Sequence, residues 1–335
     1  MTKIAILGAT GYTALELIKL LLRHPYAEIV ALTSREETAP VGKVHPSLEG
    51  RLSLSLENLS PKQVAKKVEC VFSCLPHCAS AAVVPELLEA GLKVVDFSAD
   101  YRLHSPEVFK KWYDTDHPDA ARLGHVPYGL PELFRQEIIP ARLVANPGCY
   151  PTTAILALFP LLKAGLIAPT DIILDSKSGV SGGGRKPKLS FHYPECNENI
   201  FAYGVGTHRH TPEIEQFLGI AAQKPVPVIF TPHLTPMDRG ILTAAYAKPT
   251  RSVTQAEVLT ALRDFYAGEP FVQVVDSIPA TKDVSHTNNC HLTARIVGER
   301  ILVFSVIDNL IKGASGAAVQ NFNLMFGYPE TTALL

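Results

Sequence analysis

The chain lacks a strong charge imbalance, a long apolar run and a dense set of cysteines. Its 335 residues include 31 Lys and Arg against 32 Asp and Glu, which gives a net charge of −1. This balance points to neither a nucleic-acid nor a membrane partner. No apolar run reaches the roughly 18 to 20 residues that a membrane span needs, and we see no signal peptide. Six cysteines in so long a chain suit a reducing cytosol rather than a disulfide framework, so we expect a cytoplasmic protein.

Three of the cysteines are evenly spaced but do not predict a metal site. Cys70, Cys74 and Cys78 straddle a predicted strand, a loop and a helix start, so they do not share one helix face. Zinc sites usually use close pairs of Cys, or of Cys and His. We therefore expect no metal.

The N-terminal segment has the order strand, glycine turn, helix. An apolar run at 4–7 precedes the turn 8–11, and apolar residues recur at helical spacing over 15–22. This is the context that a dinucleotide-binding fingerprint requires. Gly8 allows the tight turn, Gly11 lets the backbone approach a pyrophosphate, and an alanine replaces the third glycine. The segment predicts a dinucleotide whose phosphates lie on the helix N-terminus.

The residues after the second predicted strand indicate which nicotinamide cofactor is used. An NAD enzyme usually has an acidic residue there, which holds the ribose hydroxyls. Here Ser34 and Arg35 follow the strand, and a hydroxyl with a guanidinium suits the 2′-phosphate of NADP. The alternative is an ordinary surface arginine, because Glu36 and Glu37 come next and would serve the ribose if the turn shifted.

A second strand, turn and helix carry the candidate nucleophile, Cys149. The extended run 143–145 leads into Asn146-Pro147-Gly148-Cys149, and a helical pattern follows from Thr152 to Lys163. A thiol near a helix N-terminus is favoured as the nucleophilic thiolate. The Pro-Gly turn before the cysteine and a proline behind it are typical of such a helix start. The alternative is a buried, inert cysteine.

A thiol nucleophile needs a partner base, and one histidine pair lies before a helix start. The pair is His208 and His210, and the helix begins at Thr211-Pro212. His210 directly precedes the helix, and Glu213 is placed to orient its ring. Arg209 lies between the two histidines in the sequence, and its guanidinium would bind an anion through two parallel N–H groups.

Two further arginines follow predicted strands. Arg102 lies at the C-terminal end of the strand 93–97, where α/β sheets bind ligands, and either holds an anionic substrate or pairs with Asp100. Arg185 and the lysine after it close a glycine-rich stretch, 177–184, which we expect to be a mobile phosphate-binding loop. The alternative for that stretch is a flexible linker.

The pattern of elements predicts two domains. Alternating strands and helices up to Cys149, including a helix over 79–90, predict a Rossmann-type doubly wound parallel sheet. Later strands predict an α+β domain with a large mixed or antiparallel sheet; they lie at 171–176, 227–230, 240–246, 271–275, 291–297 and 301–306. A final helix, ending near 326, should pack back on the first domain. The predicted domains are 1–148 with 313–335, which binds NADP, and 149–312, which binds substrate and to which the family resemblance given below adds oligomerisation.

The motifs together resemble one family along nearly the whole chain. They are GATGYTALEL, SADYR, YGLPEL, NPGCYPT, SGVSGGGR, GTHRHTPEI, HLTPMDRGIL and NLIKGASGAAVQNFN. The combination is similar to the N-acetyl-γ-glutamyl-phosphate reductases, within the aspartate-semialdehyde dehydrogenase-like superfamily. Gly183 and Asp238 depart from the family pattern, and they leave open a carrier-protein-linked substrate.

The resemblance implies NADPH-dependent reduction of N-acetyl-L-glutamyl 5-phosphate to the semialdehyde and phosphate, through a Cys149 thioester, in arginine biosynthesis. It also implies a homodimer or homotetramer. Alternatives are an aspartate-semialdehyde dehydrogenase-like reductase of another acyl phosphate, or a non-catalytic NADP-binding sensor. The expected catalytic residues are Cys149, His210 and Glu213. The expected substrate contacts are Arg102, Asn146, Arg185, His208 and Arg209, and the expected NADP(H) contacts are Gly8, Thr10, Gly11, Tyr12, Thr13, Ser34, Arg35, Leu75, Pro76, Ser98, Ser178, Gly179 and Asn309.

Overall fold

The computed structural model describes all 335 residues. The strands are β1 (Thr2–Leu7), β2 (Ala27–Thr33), β3 (Leu56–Glu57), β4 (Cys70–Ser73), β5 (Lys93–Asp96), β6 (Leu143–Ala145), β7 (Ile172–Gly179), β8 (Phe201–Ala202), β9 (Val228–Thr235), β10 (Ile241–Ala247), β11 (Val272–Val274), β12 (Cys290–Val297) and β13 (Arg300–Ile307). The helices are α1 (Tyr12–Leu21), α2 (Val41–Val44), α3 (Pro61–Ala65), α4 (Val84–Glu89), α5 (Pro106–Tyr113), α6 (Pro131–Ile138), α7 (Cys149–Lys163), α8 (Tyr193–Cys196), α9 (Thr211–Ala222), α10 (Gln255–Phe265) and α11 (Gly316–Phe326). A π-helical turn, Ile311–Ser315, runs directly into α11. None of the helices combines the length and the apolar character that crossing a membrane requires.

The chain divides into two compact units. The first comprises Met1–Pro147 and Ala314–Leu335, and the second comprises Gly148–Gly313. These bounds differ by one residue from the boundaries expected from the sequence. The assignment of the cofactor to the first unit, and of substrate and oligomer contacts to the second, stays a prediction.

The first unit is built on a six-stranded sheet in the order β3-β2-β1-β4-β5-β6, with every pair parallel. This is the doubly wound order of the Rossmann fold, so the predicted fold class is confirmed. Apolar side chains of β4, β5 and α4, among them Val71, Val94 and Leu87, form part of its core. The final helix α11 packs against α1, α6 and β5, as predicted.

The second unit contains a mixed seven-stranded sheet in the order β11-β12-β13-β10-β7-β9-β8, as predicted. The pairs β11–β12 and β7–β9 are parallel, and the other neighbours are antiparallel. Helix α7 packs against β10, β13, α9 and α10. Every side chain from Tyr150 to Leu162 is buried, as expected of a helix that is apolar all round. Cys149 therefore lies at the start of a buried helix and is itself only partly buried.

One predicted helix is shorter than expected. We predicted a helix over 79–90, but α4 begins only at Val84. The carboxylate of Asp100 accepts hydrogen bonds from the backbone N–H groups of Cys78 (2.7 Å) and Ala81 (2.9 Å). These bonds hold the preceding residues in a turn, and Pro85 then occupies a position near the helix start that tolerates proline.

Two other predicted boundaries near the candidate site were also wrong. The helix after Cys149 begins at Cys149 itself rather than at Thr152. Residues 177–179, predicted as the start of a mobile loop, extend β7, because Ser178 pairs with Ile241 of β10 and Gly179 pairs with Thr235 of β9. The next residues, Val180–Gly183, form a short 3-10 turn. Pairing on both sides overrides the flexibility that the glycines favour.

Candidate active site

The glycine turn after β1 lies against the loop after β4. Gly8 has a φ of +73°, and a Cβ there would lie 2.7 Å from the carbonyl oxygen of Cys74. Both the backbone conformation and the lack of space require glycine. Because β1 and β4 are neighbours at the point where the strand order reverses, this turn lies at the crevice where doubly wound sheets bind ligands. Leu75 is half-buried and Pro76 is exposed in the same loop.

The start of α1 fits a pyrophosphate. Gly11 is the N-cap residue, and no side chain caps the helix. A Cβ on Gly11 would meet only the Thr13 hydroxyl oxygen, at 3.9 Å, so the space beside the turn is open. The first N–H groups of a helix have no partner within the helix, and such a start binds anions. Thr10, Tyr12 and Thr13 are each at least partly exposed at this turn.

His45, which the sequence analysis missed, hydrogen-bonds to the backbone of this glycine turn. The buried His45 donates from Nε2 to the carbonyl oxygen of Ala9, at 2.8 Å. A carbonyl only accepts, so this contact places a proton on Nε2. A lone histidine 36 residues from Ala9 carries no local signal of this role.

The two residues expected to select NADP follow β2 directly. The hydroxyl oxygen of Ser34 accepts hydrogen bonds from the backbone N–H groups of Glu36 (3.3 Å) and Glu37 (3.0 Å). This small turn leaves the Arg35 side chain exposed, and both glutamates are exposed beside it. A phosphate would therefore find a guanidinium and a hydroxyl here.

Ser98 is buried and bonded to Asp96. Its hydroxyl donates to the Asp96 carboxylate at 2.6 Å, and its backbone N–H donates to the other oxygen at 3.1 Å. Ser80 also donates to Asp96, at 2.6 Å. Burial, together with the nearby charge of Asp100, raises the pKa of Asp96 to about 6. The Ser98 side chain therefore stabilises the end of β5.

Asn146 and Arg102 lie together and are both buried. The Arg102 guanidinium donates from Nε to the carbonyl oxygen of Asn146 (2.8 Å) and from Nη2 to that of Phe97 (2.8 Å). The Asn146 amide donates to the carbonyl oxygen of Ala314 and accepts from Asn321. These contacts hold Asn146, the first residue of the turn that leads to Cys149.

Cys149 is the first residue of α7, and the first turns of α7 and α9 are joined. Gly148 is the N-cap residue of α7. Its backbone N–H donates to Oε1 of the buried Glu213 at 2.8 Å, and Glu213 lies in the first turn of α9. The N-terminus of a helix favours a nearby negative charge. The arrangement places Cys149 at the start of α7 and joins its turn to the first turn of α9, which directly follows the two histidines.

His208 and His210 lie beside each other in front of α9, with ring centroids 4.8 Å apart. His210 is the N-cap residue of α9, as predicted. Its backbone N–H donates to Nδ1 of His208 at 3.1 Å, so in this arrangement the proton of a neutral His208 is on Nε2. Burial, with the charge of Arg209, lowers the pKa of His208 to about 4. At neutral pH His208 is therefore a neutral hydrogen-bond donor.

Aromatic rings that the sequence analysis missed enclose His208. The rings of Tyr150, Tyr203 and Phe230 lie 5.4 to 5.6 Å from the His208 ring, each in an edge arrangement. Tyr203 donates its hydroxyl proton to the Tyr150 hydroxyl at 3.1 Å, and Tyr150 donates to the carbonyl oxygen of His233 at 3.1 Å. Burial raises the pKa of both tyrosines, so both stay protonated. Only the adjacency of Tyr150 to Cys149 was visible in the sequence.

The remaining predicted residues of the second unit have different surroundings. A Cβ on Gly179 would lie 2.4 Å from the carbonyl oxygen of Asp238, so the chain passes too closely for a side chain. The buried Asn309 accepts from Gly240 N at 2.7 Å and donates to Ser181 Oγ at 3.0 Å. Ser178 is buried, whereas Arg185 and Arg209 are exposed. No group of three or more His, Cys, Asp or Glu side chains is arranged to hold a metal ion.

Two family models together match most of the chain. Residues 3–141 match the family described as semialdehyde dehydrogenase, NAD binding domain. Residues 149–309 match semialdehyde dehydrogenase, dimerisation domain. With the Rossmann sheet, these matches define an oxidoreductase of the semialdehyde dehydrogenase class with a nicotinamide dinucleotide cofactor.

Curated relatives narrow the class to one family. A protein of Rhodopirellula baltica named N-acetyl-gamma-glutamyl-phosphate reductase is 53% identical over 339 residues, which is 99% of this chain and 98% of the relative. A protein of the same name from Magnetococcus marinus is 50% identical, with 99% of this chain and 97% of the relative covered. Another, from Moorella thermoacetica, is 49% identical, with 100% of this chain and 98% of the relative covered. The chain belongs to the N-acetyl-γ-glutamyl-phosphate reductase family.

Solved structures support the same fold. Aspartate semialdehyde dehydrogenase II of Vibrio cholerae is 18% identical, with a TM-score of 0.73 and 98% of each chain covered. Aspartate semialdehyde dehydrogenase of Candida albicans, solved with NADP, is 17% identical, with a TM-score of 0.73 and 97% and 98% coverage. At this identity the likeness establishes the fold.

Proposed function

We propose that the protein reduces N-acetyl-L-glutamyl 5-phosphate to N-acetyl-L-glutamate 5-semialdehyde and phosphate with NADPH, as a step of arginine biosynthesis. The observation that carries the proposal is Cys149 as the first residue of α7, tied through Gly148 to Glu213 beside two histidines. The names and full-length coverage of the relatives support the substrate.

The chemistry begins with the thiolate. Cys149 Sγ attacks the carbonyl carbon of the acyl phosphate, the C–S bond forms, the C–O bond to phosphate breaks, and a thioester results. The bound cofactor supplies the hydride that reduces this thioester. His210 gives a proton to the oxygen of the resulting thiohemiacetal and takes it back as the C–S bond breaks, which releases the aldehyde and restores the thiolate. A serine would serve poorly, because an alkoxide is a much worse leaving group than a thiolate.

The other residues bind and orient. Glu213 holds the Gly148–Cys149 turn by its hydrogen bond and supplies the negative charge that steadies a protonated His210. His208, neutral and with its proton on Nε2, donates a hydrogen bond to substrate rather than exchanging a proton. Arg209 is exposed beside it as an anion contact.

The cofactor proposal depends on three features of the first unit. Gly8 lets the turn lie against the loop after β4, and Gly11 leaves open space for a pyrophosphate at the start of α1. Ser34 and the exposed Arg35 follow β2 where NAD enzymes usually carry an acidic residue, which supports NADP. The proposal also includes NADP(H) contacts from Leu75, Pro76 and the other residues that the sequence analysis expected to contact the cofactor. The match to a dimerisation domain supports a homodimer or homotetramer.

A substrate panel in the phosphate-dependent oxidative direction tests the proposal. The purified protein is given N-acetyl-glutamate semialdehyde or aspartate semialdehyde with phosphate and NADP⁺, and absorbance of the reduced cofactor is followed. We expect turnover of the N-acetylated compound only, and its loss in Cys149→Ala. Turnover of aspartate semialdehyde would favour the other reductase, and no turnover with intact NADP binding would favour a sensor. A Cys149→Ala variant with wild-type turnover would refute the thioester.

A further inference from the structure

Gly313 packs directly on the proposed nucleophile. A Cβ added to Gly313 would lie 2.8 Å from the Cβ of Cys149 and 3.3 Å from its Cα. It would also lie 3.2 Å from Cδ1 of Ile307. The φ of Gly313 is outside the left-handed range, so the backbone itself does not require glycine. A side chain at this position is therefore excluded by close packing against Cys149 and Ile307.

The turn that carries Gly313 has little freedom to retreat. Its backbone N–H donates to the carbonyl oxygen of Asp308 at 2.9 Å, five residues earlier, which is the π-helical pattern. The fully buried Asp308 carboxylate accepts from the backbone N–H groups of Leu310 (2.8 Å) and Ile311 (3.0 Å) through one oxygen. Its other oxygen accepts from the backbone N–H of His286 at 2.7 Å. A buried carboxylate with several donors holds its segment firmly.

A neighbouring side chain anchors the same turn a second time. Asn309 bonds to Gly240 N and to Ser181 Oγ, so the turn is attached to the loop before β10 and to the turn after β7. A methyl group on Gly313 would therefore displace Cys149 rather than the turn. Single π-helical turns often occur at functional sites, and here the turn has a defined neighbour.

We propose that Gly313 is a positioning residue. Its missing side chain lets the anchored turn 308–313 support the Cα and Cβ of Cys149, and so sets the direction of the thiol. The inference rests on the proposed role of Cys149 as nucleophile. A displacement of about 1 Å at a reacting atom costs on the order of 100-fold in rate.

The test is Gly313→Ala, assayed for reduction of the acyl phosphate and for alkylation of Cys149 by iodoacetamide across pH. We expect kcat to fall at least about tenfold while KM stays within about threefold, because the substrate contacts are intact. The alkylation rate at neutral pH should fall as well. Gly219→Ala, in α9, is the matched control; its Cβ would meet only the carbonyl oxygen of Lys224, at 3.3 Å, and we expect wild-type kinetics.

Two more variants separate the contact with Cys149 from general packing. Ile307→Val removes the Cδ1 atom, so the double variant with Gly313→Ala should stay impaired if Cys149 is the critical neighbour. Rescue by Ile307→Val would overturn the proposal. Stability supplies a readout without turnover: Gly313→Ala should destabilise the wild-type chain at least twice as much as the Cys149→Gly chain, which lacks the opposing Cβ.

These outcomes distinguish the inference from the proposed function. Wild-type activity in Cys149→Ala would show that Cys149 is not the nucleophile, independently of Gly313. The stability comparison tests only the contact between Gly313 and Cys149. If Gly313→Ala folds only in the Cys149→Gly background, the contact is supported. Wild-type kcat and alkylation in Gly313→Ala, or equal destabilisation in both backgrounds, would overturn the positioning role.

Discussion

Replacement of Glu213 should separate its hydrogen bond from its charge. Glu213 is 1% exposed, and its Oε1 accepts from Gly148 N at 2.8 Å. In Glu213→Gln the amide oxygen still accepts this bond, so we expect the free energy of unfolding to change by no more than about 1 kcal/mol. In Glu213→Ala the buried N–H loses its acceptor and the side chain leaves a cavity, which together cost about 2 to 4 kcal/mol.

The kinetic effects of the two variants should differ in the same way. If the charge of Glu213 steadies a protonated His210, both variants should lower kcat, by about tenfold for glutamine, and shift the pH profile of kcat. If the hydrogen bond also holds the start of α7, only the alanine variant should slow the alkylation of Cys149. The measurements are urea unfolding, the pH profile of kcat, and the iodoacetamide rate, each with wild type alongside.

Two results would refute this reasoning. Wild-type stability and alkylation in Glu213→Ala would mean that the bond to Gly148 does not hold the turn. An unchanged kcat and pH profile in Glu213→Gln would mean that the charge has no part in catalysis. A folded Glu213→Ala variant is essential to the first comparison, so its unfolding curve is recorded before any kinetics.

Four other predictions follow from the sites. His210→Asn should lower kcat by about 10²- to 10⁴-fold, as expected for a general acid and base, while His208→Asn mainly raises KM; the reverse pattern in kcat and KM would exchange their roles. The Cys149 thiol should have a pKa below about 8.5, measured by the pH dependence of its alkylation, and a value at or above this would contradict the effect of the helix start. Arg35→Ala should weaken NADPH binding by about 1 to 3 kcal/mol in titration and leave NADH nearly unchanged; equal losses would exclude recognition of the 2′-phosphate. Because the pKa of His208 falls from 6.5 to about 4 on folding, the unfolded chain binds more protons between these values, so stability should fall as pH drops through this window. The loss is up to about 3 kcal/mol, and His208→Gln should flatten that part of the stability curve measured by urea unfolding.

Local patterns in the sequence were enough to predict the elements that carry the candidate sites. Gly8 and Gly11, between an apolar run and a helical pattern, predicted the turn at the start of α1, because glycine and periodicity act over a few residues. Cys149 was expected near a helix start and is the first helical residue. Thr211-Pro212 likewise predicted where α9 begins. These features depend on backbone conformation and local side-chain periodicity, which neighbouring residues determine.

Tertiary structure decided which distant groups meet at these elements. The bond from Gly148 to Glu213 joins residues 65 apart in sequence, and no periodicity encodes it. The turn before α4 is held by Asp100, and the glycine-rich end of β7 is ordered by its two neighbouring strands, so local propensity gave the wrong boundary in both places. Long-range hydrogen bonds and strand pairing outweigh local preferences that differ by about 1 kcal/mol per residue.

The surroundings of His208 and of Cys149 were also decided in three dimensions. His208 is neutral because rings from three separate segments exclude water from it, and only folding brings those rings together. Gly313 stands in a motif visible in the sequence, yet its contact with Cys149 exists only because α7 and the turn before α11 meet in the folded chain. The sequence by itself predicted the proposed nucleophile, Cys149, and the strand, turn and helix that carry it. The fold determined what surrounds that nucleophile, because burial, close packing and distant hydrogen bonds arise only when separate segments meet.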